Sequence, residues 1–205
     1  MSAILLPKPP AVQAVVSFAP RPLRWTATEF GRIVELELLK GRRPFLIDGV
    51  IWEQGPMPKP HAVALGLVDS AVRTAFGPGW WVRVQTPFEL DESNDPLPDL
   101  AVVPGSPRDY LGQEPVPASL IVEVSDTSLD MDLTVKAERY ATAGVLDYWV
   151  MDLNGRRLLV FRDPAPLPAG LGATAYRAHL TLGPGDAVAP LAAPHAPIPV
   201  ADLLP

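Results

Sequence analysis

The stretch SLIVEVS at residues 119–125 is a near-continuous run of β-branched and aliphatic residues with one acid, Glu123, inside it. Such a run is typical of a central strand that is buried on both faces of a sheet. An ionised carboxylate in that position is costly unless a partner or a cation compensates its charge. The stretch therefore predicts a buried central strand and a polar site associated with it.

Upstream of this strand, the sequence predicts two helices, a hairpin and two further strands. Thr26 and Glu29 have the spacing of a capping box, which marks the start of a helix. The dipeptide Asp48-Gly49 between two apolar runs is the strongest short signal for a hairpin. The expected elements are a helix from Thr26 to Gly41, hairpin strands at 45–47 and 50–52, a helix from His61 to Phe76, and strands at 80–85 and 99–103.

Downstream of the central strand, the pattern predicts one helix and three strands. These are a helix from Asp132 to Ala143 that Gly144 ends, strands at 147–152 and 158–162, and an edge strand from Thr174 to Leu182. Helices and strands do not alternate strictly along the chain, so a purely parallel sheet is not expected. The sequence therefore predicts an α/β fold with a mixed central β-sheet flanked by helices.

Length and proline placement set the expected domain organisation. A chain of 205 residues is long enough for one full domain with a sizeable core. Its 26 prolines punctuate both ends of the chain. We expect a proline-rich N-terminal arm at 1–24 and a single domain at 25–205, with a core at 26–162 and a Pro/Ala/Gly-rich C-terminal extension at 163–205.

The composition excludes several functional classes. The chain has no cysteine, so disulfides, thiolate metal sites and a cysteine nucleophile are excluded, and the cytoplasm is the expected compartment. A net charge of −6 argues against a protein that holds nucleic acid mainly by non-specific electrostatics. Apolar runs are interrupted well before the roughly 18 residues of a membrane span, and the N-terminal stretch lacks the features of a signal peptide, so no membrane partner is expected.

Asp99, Glu123 and Lys136 are the candidate catalytic residues. Asp99 starts one apolar strand and Glu123 interrupts another, so the two carboxylates converge at one edge of the sheet if the strands are neighbours. Hard oxygens arranged in this way suit Mg²⁺ or Mn²⁺. Lys136 lies on the helix that follows the Glu123 strand, and a spacing of four places Asp132, Lys136 and Tyr140 on one helical face.

Each of these residues also has a purely structural interpretation. Asp99 after a proline is typical of a turn or a strand cap, and Glu123 alone could face solvent or pair with an arginine. Asp132 and Lys136 have the i,i+4 spacing of a surface ion pair worth a few tenths of a kcal/mol. In the functional interpretation, Lys136 instead points over the strand ends toward a metal. Whether Lys136 points inward or outward therefore separates the two interpretations.

Most of the chain resembles the Uma2 family of restriction-endonuclease-like proteins, formerly called DUF820, within the PD-(D/E)XK nuclease superfamily. The resemblance extends from about Thr26 to Arg162, in the family's order. Its motifs are LIDG at 46–49, His61, Pro98-Asp99, IVEVS at 121–125, Lys136, Tyr140, Gly144-Val145 and DYWVMD at 147–152. The resemblance implies a restriction-endonuclease-like core to which the N-terminal arm and the β-hairpin are additions.

The resemblance also implies roles for individual residues. Asp99 and Glu123 would be the metal-binding motif acids, and the backbone carbonyl of Val124 would complete the protein ligands. The superfamily usually has a lysine two residues after the glutamate, but Ser125 occupies that position. The resemblance therefore implies that Lys136 takes the lysine role from the following helix.

Other positions support or weaken this interpretation. His61 matches a family histidine that could contact substrate or orient a carboxylate, or could simply bond to backbone at the helix start. Ser125 could hold a water molecule near the site, and Tyr140 is an auxiliary residue by resemblance. Phe45 stands where family members commonly have a glutamate. Phe45 and Ser125 therefore favour an alternative in which the fold is retained and activity is weak or absent.

The expected function is a Mg²⁺- or Mn²⁺-dependent endonuclease that hydrolyses phosphodiester bonds. Nucleic acid, with DNA as the first expectation, would be the substrate, and a homodimer is expected. The alternative is a catalytically weak or inactive binding or regulatory module. A two-carboxylate glycosidase is less favoured, because the pattern predicts Trp80, Trp81 and Trp149 inside strands, where core packing explains them. A serine hydrolase is less favoured still, because the sequence around Ser106 lacks the nucleophile-elbow pattern.

Overall fold

A six-stranded mixed sheet forms the centre of the computed structural model, which describes residues 20–112, 117–168 and 173–205. Most of the N-terminal arm expected at 1–24 lies outside the described residues. The strands in chain order are β1 (Pro44–Ile47), β2 (Val50–Glu53), β3 (Trp80–Val84), β4 (Leu100–Pro104), β5 (Leu120–Ser125), β6 (Asp147–Asp152), β7 (Arg157–Pro166), β8 (Thr174–Leu182), β9 (Ala187–Val188) and β10 (Ile198–Pro199).

The central sheet has the order β3-β4-β5-β6-β7-β8, in which only β5 and β6 are parallel. Every residue of β5 and of β6 is buried, as expected for strands covered on both faces. Leu100 of β4 pairs with Val122, and Glu123 pairs with Val150 of β6. The predicted mixed sheet with a buried central strand is confirmed, and the acid Glu123 lies in its interior.

The helices differ from the sequence predictions mainly at their ends. They are α1 (Ala27–Glu35), α2 (Lys59–Phe76), α3 (Leu129–Met131) and α4 (Ala137–Thr142), with 3₁₀ turns at Pro107–Tyr110 and Val200–Leu203. The capping box of Thr26 and Glu29 is present. No helix in the described part of the chain is long and apolar enough to cross a membrane.

The first helix ends six residues before the predicted stop at Gly41, so that prediction was wrong at its C-terminal end. Glu37 adopts a left-handed conformation with φ 55°. Val34 and Leu38, which fit the helical pattern, are 46% and 67% exposed. Apolar spacing extends a helix only where the apolar face packs on something, and these side chains have no core surface to cover.

The helix predicted at 132–143 is interrupted by a π-helical turn, Asp132–Lys136, that joins α3 to α4. Such turns widen the helix locally and are frequent at functional sites. Asp132 and Lys136 are both buried at this turn. The widened turn therefore directs an acid and a base toward the sheet.

Two apolar layers cover the sheet, one on the side of α2 and one on the side of α4. Residues of β5 alternate between these layers, and Glu123 follows Ile121 on the α4 side. The C-terminal segment 163–205 also adds apolar side chains to the α2 layer. These are Val188, Ile198, Val200, Leu203 and Leu204. Residues beyond Arg162, the expected end of the core, therefore also pack against the sheet.

The predicted hairpin is confirmed as a separate two-stranded sheet of β1 and β2. Asp48 and Gly49 have φ angles of 52° and 69°, which is the signature of a type I′ turn. A Cβ on Gly49 would lie 2.9 Å from Cβ of Arg24, so this position requires glycine on both counts. Arg139 of α4 pairs with Asp48 at 2.7 Å between Nε and Oδ1. This contact fixes the hairpin beside the helix that follows β5.

Candidate active site

The two sequence-predicted acids lie together at the start of β4 and the middle of β5. Asp99 Oδ2 accepts a hydrogen bond of 2.8 Å from the backbone N–H of Val124, and the backbone N–H of Asp99 lies 3.4 Å from Oε2 of Glu123. Each acid is only 2% exposed. Antiparallel pairing of β4 and β5 produces this meeting, because it brings residues 24 positions apart in the chain side by side.

Lys136 points inward to Glu123 and to a third acid, Asp132. Its Nζ lies 3.1 Å from Oε2 of Glu123 and 2.8 Å from Oδ1 of Asp132. Asp132 is 1% exposed and Lys136 is 8% exposed. The interpretation of this pair as a surface salt bridge was therefore wrong, because the π-helical turn rotates both side chains into the protein.

Hydroxyl groups hold the remaining carboxylate oxygens. Tyr140 donates a 2.8 Å hydrogen bond to Oε1 of Glu123. Ser125 and Ser128 each donate a 2.6 Å hydrogen bond to Oδ2 of Asp132. Ser125 thus contacts an acid directly, where the sequence suggested a water molecule. Its hydroxyl fixes Asp132, which in turn fixes the position of Lys136.

His61 and a residue that the sequence did not single out hold Asp99. His61, near the start of α2, places Nε2 at 3.1 Å from Oδ1 of Asp99. Gln85 donates a 3.0 Å hydrogen bond to the same oxygen. His61 therefore orients a carboxylate, which is one of the two roles that its position suggested.

Sequence reasoning missed Gln85 and Ser128, and it left Asp132 undecided. Gln85 lies one position beyond β3 and adopts a left-handed backbone conformation with φ 46°. No local sequence pattern predicted this conformation. Asp132 was visible in the spacing of four with Lys136, but the sequence alone could not distinguish a buried face from an exposed one. Ser128 follows Ser125 by three residues, a spacing that carries no signal by itself.

Burial and nearby charges shift the pKa values of Glu123, Lys136 and Asp99. Burial raises the pKa of Glu123 to about 8, because attraction to Lys136 offsets only part of its cost and Asp132 and Asp99 add repulsion. Burial opposes the charge on Lys136, but the attraction of Glu123 and Asp132 outweighs it and raises the pKa of that amine. For Asp99, burial is outweighed by the hydrogen bond and charge of His61 and by further donors, so its pKa is lowered.

This donor set fits a hard divalent cation. Glu123 and Asp132 contact the ammonium group of Lys136 and Asp99 lies beside Glu123, so these three acids share one lysine. Carboxylate oxygens of Asp99 and Glu123, with the nearby carbonyl of Val124, are the ligands that Mg²⁺ and Mn²⁺ prefer. Within the described residues, no group of three or more acidic or histidine side chains is arranged to hold a metal, so side chains alone would supply at most two ligands here. Two carboxylates and a carbonyl would leave the remaining positions of the ion to water and substrate.

A cleft of ≈ 210 Å³ gives access to this cluster. Asp99, Glu123 and Lys136 line its floor, and the hairpin forms one wall. The ring centroid of Phe45 lies 5.9 Å from Nζ of Lys136. An apolar ring therefore covers the amine at the position where the family resemblance would place an acid.

Comparisons with known proteins agree with this fold. Residues 32–194 match the Uma2 family, whose description is "Putative restriction endonuclease". The chain is similar to a crystal structure of a "putative nuclease belonging to DUF820" from Anabaena variabilis, with a TM-score of 0.58 and 16% sequence identity, over 78% of this chain and 88% of that one. No curated protein matches. The structural likeness confirms the predicted fold class.

Proposed function

The chain belongs to the Uma2 family of restriction-endonuclease-like proteins, and we propose that it is a divalent-metal-dependent endonuclease that hydrolyses phosphodiester bonds. Family membership supports a nuclease-like function with nucleic acid as substrate, and DNA is our first expectation. The observation that carries the metal-dependent part is the buried pair of Asp99 and Glu123, with Nζ of Lys136 3.1 Å from Oε2 of Glu123. This is a compact set of ligands and one cation at the floor of a cleft.

Asp99, Glu123 and the carbonyl of Val124 would hold Mg²⁺ or Mn²⁺. The ion would neutralise charge on a non-bridging phosphate oxygen and lower the pKa of a bound water. Lys136 donates to the attacking water or to the phosphate oxygens, and its charge stabilises the pentacovalent transition state. The water oxygen forms the new bond to phosphorus and releases a proton to solvent, and the leaving oxygen takes up a proton as its bond to phosphorus breaks.

Neighbouring residues position these groups. His61 and Gln85 donate to Asp99 and fix the direction of its second oxygen. Tyr140 holds one oxygen of Glu123, which leaves the other oxygen facing Lys136. These contacts reduce the rearrangement that the acids undergo during a reaction cycle.

A cleavage assay tests the proposal. Wild type and the variants Asp99→Asn, Glu123→Gln and Lys136→Ala are incubated with several nucleic acids in Mg²⁺, in Mn²⁺ and in EDTA. We expect cleavage only with metal and a loss of roughly a hundredfold or more in each variant. Asp202→Asn, an exposed acid near the C-terminus, is the matched control and keeps activity. Metal-independent cleavage, or cleavage that survives all three changes, would overturn the proposal.

A metal-free binding module is the second candidate, and two observations favour it. Lys136 already bridges Glu123 and Asp132, so the acids are partly compensated without an ion. Phe45, in place of a family glutamate, removes a further acid from the cleft. Thermal melting separates the candidates: Mg²⁺ raises the melting temperature of the enzyme but not of Asp99→Asn, whereas it leaves a metal-free module unchanged.

The proposal includes a setting for the enzyme. We propose a homodimer, because small cleaving domains commonly self-associate, and a cytoplasmic location, because the chain has no cysteine. Light scattering of the purified chain measures its mass and tests the dimer directly. A single monomer mass at micromolar concentration would contradict that part alone.

A further inference from the structure

One face of the hairpin is turned toward the cleft. Phe45 and Trp52 are direct partners across β1 and β2, so their side chains share a face. The ladder continues one pair further, because the N–H of Gln54 donates a 2.9 Å hydrogen bond to the carbonyl of Arg43. Alternation along the strands places Arg43 and Gln54 on that same face. All four residues line the cleft.

Trp52 is the exposed aromatic residue of this face. It is 46% exposed, whereas Phe45 beside it is 8% exposed and covers Lys136. Trp52 belongs to none of the apolar clusters formed by the described residues. An indole at the rim of a cleft, with little packing of its own, offers a flat surface to a ligand.

Arg43 adds a positive charge to the same face. Its neighbour Arg42 lies on the opposite face and pairs with Glu53 at 3.0 Å. Within the described part of the chain, the guanidinium of Arg43 forms no such ion pair. An arginine with unoccupied donors beside a stacking surface is suited to a phosphate group.

Charge and depth argue against a double helix in this cleft. A duplex carries one negative charge per about 1.7 Å, and a protein with a net charge of −6 gains little from non-specific attraction to it. The acids at the floor are 2% exposed, and the cleft above them holds ≈ 210 Å³. A single strand carries half of that charge per unit length and gains free energy by stacking, which requires an unpaired base.

We propose that this site takes a nucleic acid strand with an unpaired base next to the bond to be cut, with the base stacked on Trp52 and the adjacent phosphate on Arg43. The inference rests on the proposed nuclease function for the cleavage step and names its substrate class. A single strand, a flap or a frayed end fits this description.

Binding is tested first, in EDTA, where the proposed reaction does not proceed. The probes are a fluorescent oligothymidylate, as single strand and as duplex with its complement, followed by anisotropy. We expect the wild type to prefer the single strand and Trp52→Leu to weaken that binding by roughly ten- to a hundredfold. Trp52→Phe keeps a ring and most of the affinity. Leu180→Ala is the matched control, because Leu180 is also 46% exposed but lies on β8.

Arg43 is tested through salt dependence. Arg43→Gln removes one phosphate contact and therefore reduces the slope of log affinity against log salt by about 0.7 for a single strand. Trp52→Leu leaves that slope unchanged. An unchanged slope in Arg43→Gln would contradict the proposed contact between Arg43 and a phosphate.

Cleavage of the same probes in Mn²⁺ separates the inference from the function that it rests on. If the wild type cuts the single strand faster than the duplex and Trp52→Leu loses this preference, the result supports both the nuclease proposal and the inference. Equal cutting of single strand and duplex, or wild-type affinity in Trp52→Leu, overturns the inference and leaves the nuclease proposal intact. Trp52-dependent binding without any cutting supports the recognition surface and overturns the nuclease proposal. No preference for the single strand in binding overturns the inference.

Discussion

The floor and the wall of the cleft are built in opposite ways. On the floor, Asp99 receives three hydrogen bonds, and Glu123 contacts both an amine and a phenol. On the wall, Trp52 and Arg43 face the same space with few contacts of their own. The difference shows that burial, and not proximity to the cleft, decides how strongly a residue is fixed.

The physical reason lies in desolvation. A buried carboxylate loses its water and is stable only when donors replace that water, so each floor residue depends on several others. An exposed indole or guanidinium keeps its contact with solvent and needs no partner in the protein. The floor is therefore suited to chemistry that demands fixed geometry, and the wall to recognition that tolerates substitution.

We expect the largest change in stability from Lys136→Met, which alters the floor of the cleft. Removing the ammonium leaves Glu123 and Asp132 buried without their cation, and we expect a loss of about 3–5 kcal/mol in the free energy of unfolding. Urea denaturation measures it. Lys59→Met, at the exposed start of α2, is the matched control and changes stability by less than about 0.5 kcal/mol. A loss of similar size in both variants would show that the floor is not a coupled network.

A more selective change is Ser125→Ala. It removes one of two hydroxyl donors to Asp132 at a fully buried position, and we expect a loss of about 1.5 kcal/mol by urea denaturation. Ser128→Ala removes a bond of the same length at a more exposed position and costs less. Equal losses would mean that burial does not control the strength of these bonds.

The loop at 91–95 accepts backbone hydrogen bonds from Leu46 and Gly49 of the hairpin, and we expect its contribution to the free energy of unfolding to depend on pH. Burial opposes the charge on Asp91, but hydrogen bonds from Ser93 and Asn94 outweigh it and lower its pKa. The group therefore stabilises the fold above its unfolded pKa, and this contribution is lost as the pH falls through its lowered folded value. Because solvent screens this site, we expect less than about 1 kcal/mol.

A comparison of wild type with Asp91→Asn at several pH values measures this contribution by thermal melting. The stability difference between them is present at neutral pH and disappears in strongly acidic buffer. A difference that stays constant with pH would show that the charge of Asp91 is not involved.

The smallest effect is expected for Trp52→Leu. Its side chain is about half exposed and belongs to no described apolar cluster, so its change in unfolding free energy stays within about 0.5 kcal/mol. Urea denaturation of Trp52→Leu and of Lys136→Met measures the change in unfolding free energy at the wall and at the floor of the cleft. A loss above 2 kcal/mol would place Trp52 in the core of the hairpin instead of on its surface.

Local sequence signals predicted the parts of the molecule that depend on neighbours in the chain. The strand around Glu123, the hairpin at Asp48-Gly49 and the capping box at Thr26 are each encoded within a few residues, and each is present. The meeting of Asp99 and Glu123 followed from the assumption that their strands are adjacent, which is also correct.

What the sequence could not predict depends on distant partners. The contact of Gln85 with Asp99 requires the pairing of β3 with β4, and the inward turn of Lys136 requires a π-helical segment that no composition signal marks. The burial of Leu203 and Leu204 against the sheet likewise depends on tertiary packing. Such contacts are determined by the folded chain as a whole.

Glu123 lies in β5, which pairs with β4 and β6, so the direction of its side chain depends on the register of both pairings. A slip of one residue in that pairing would turn the acid to the opposite side of the sheet and separate it from Lys136. A copy with that slip would therefore lack the contact between the acid and the lysine of the candidate site. If the protein cuts nucleic acid, as proposed, its activity depends on the native register of β5 with both of its neighbours.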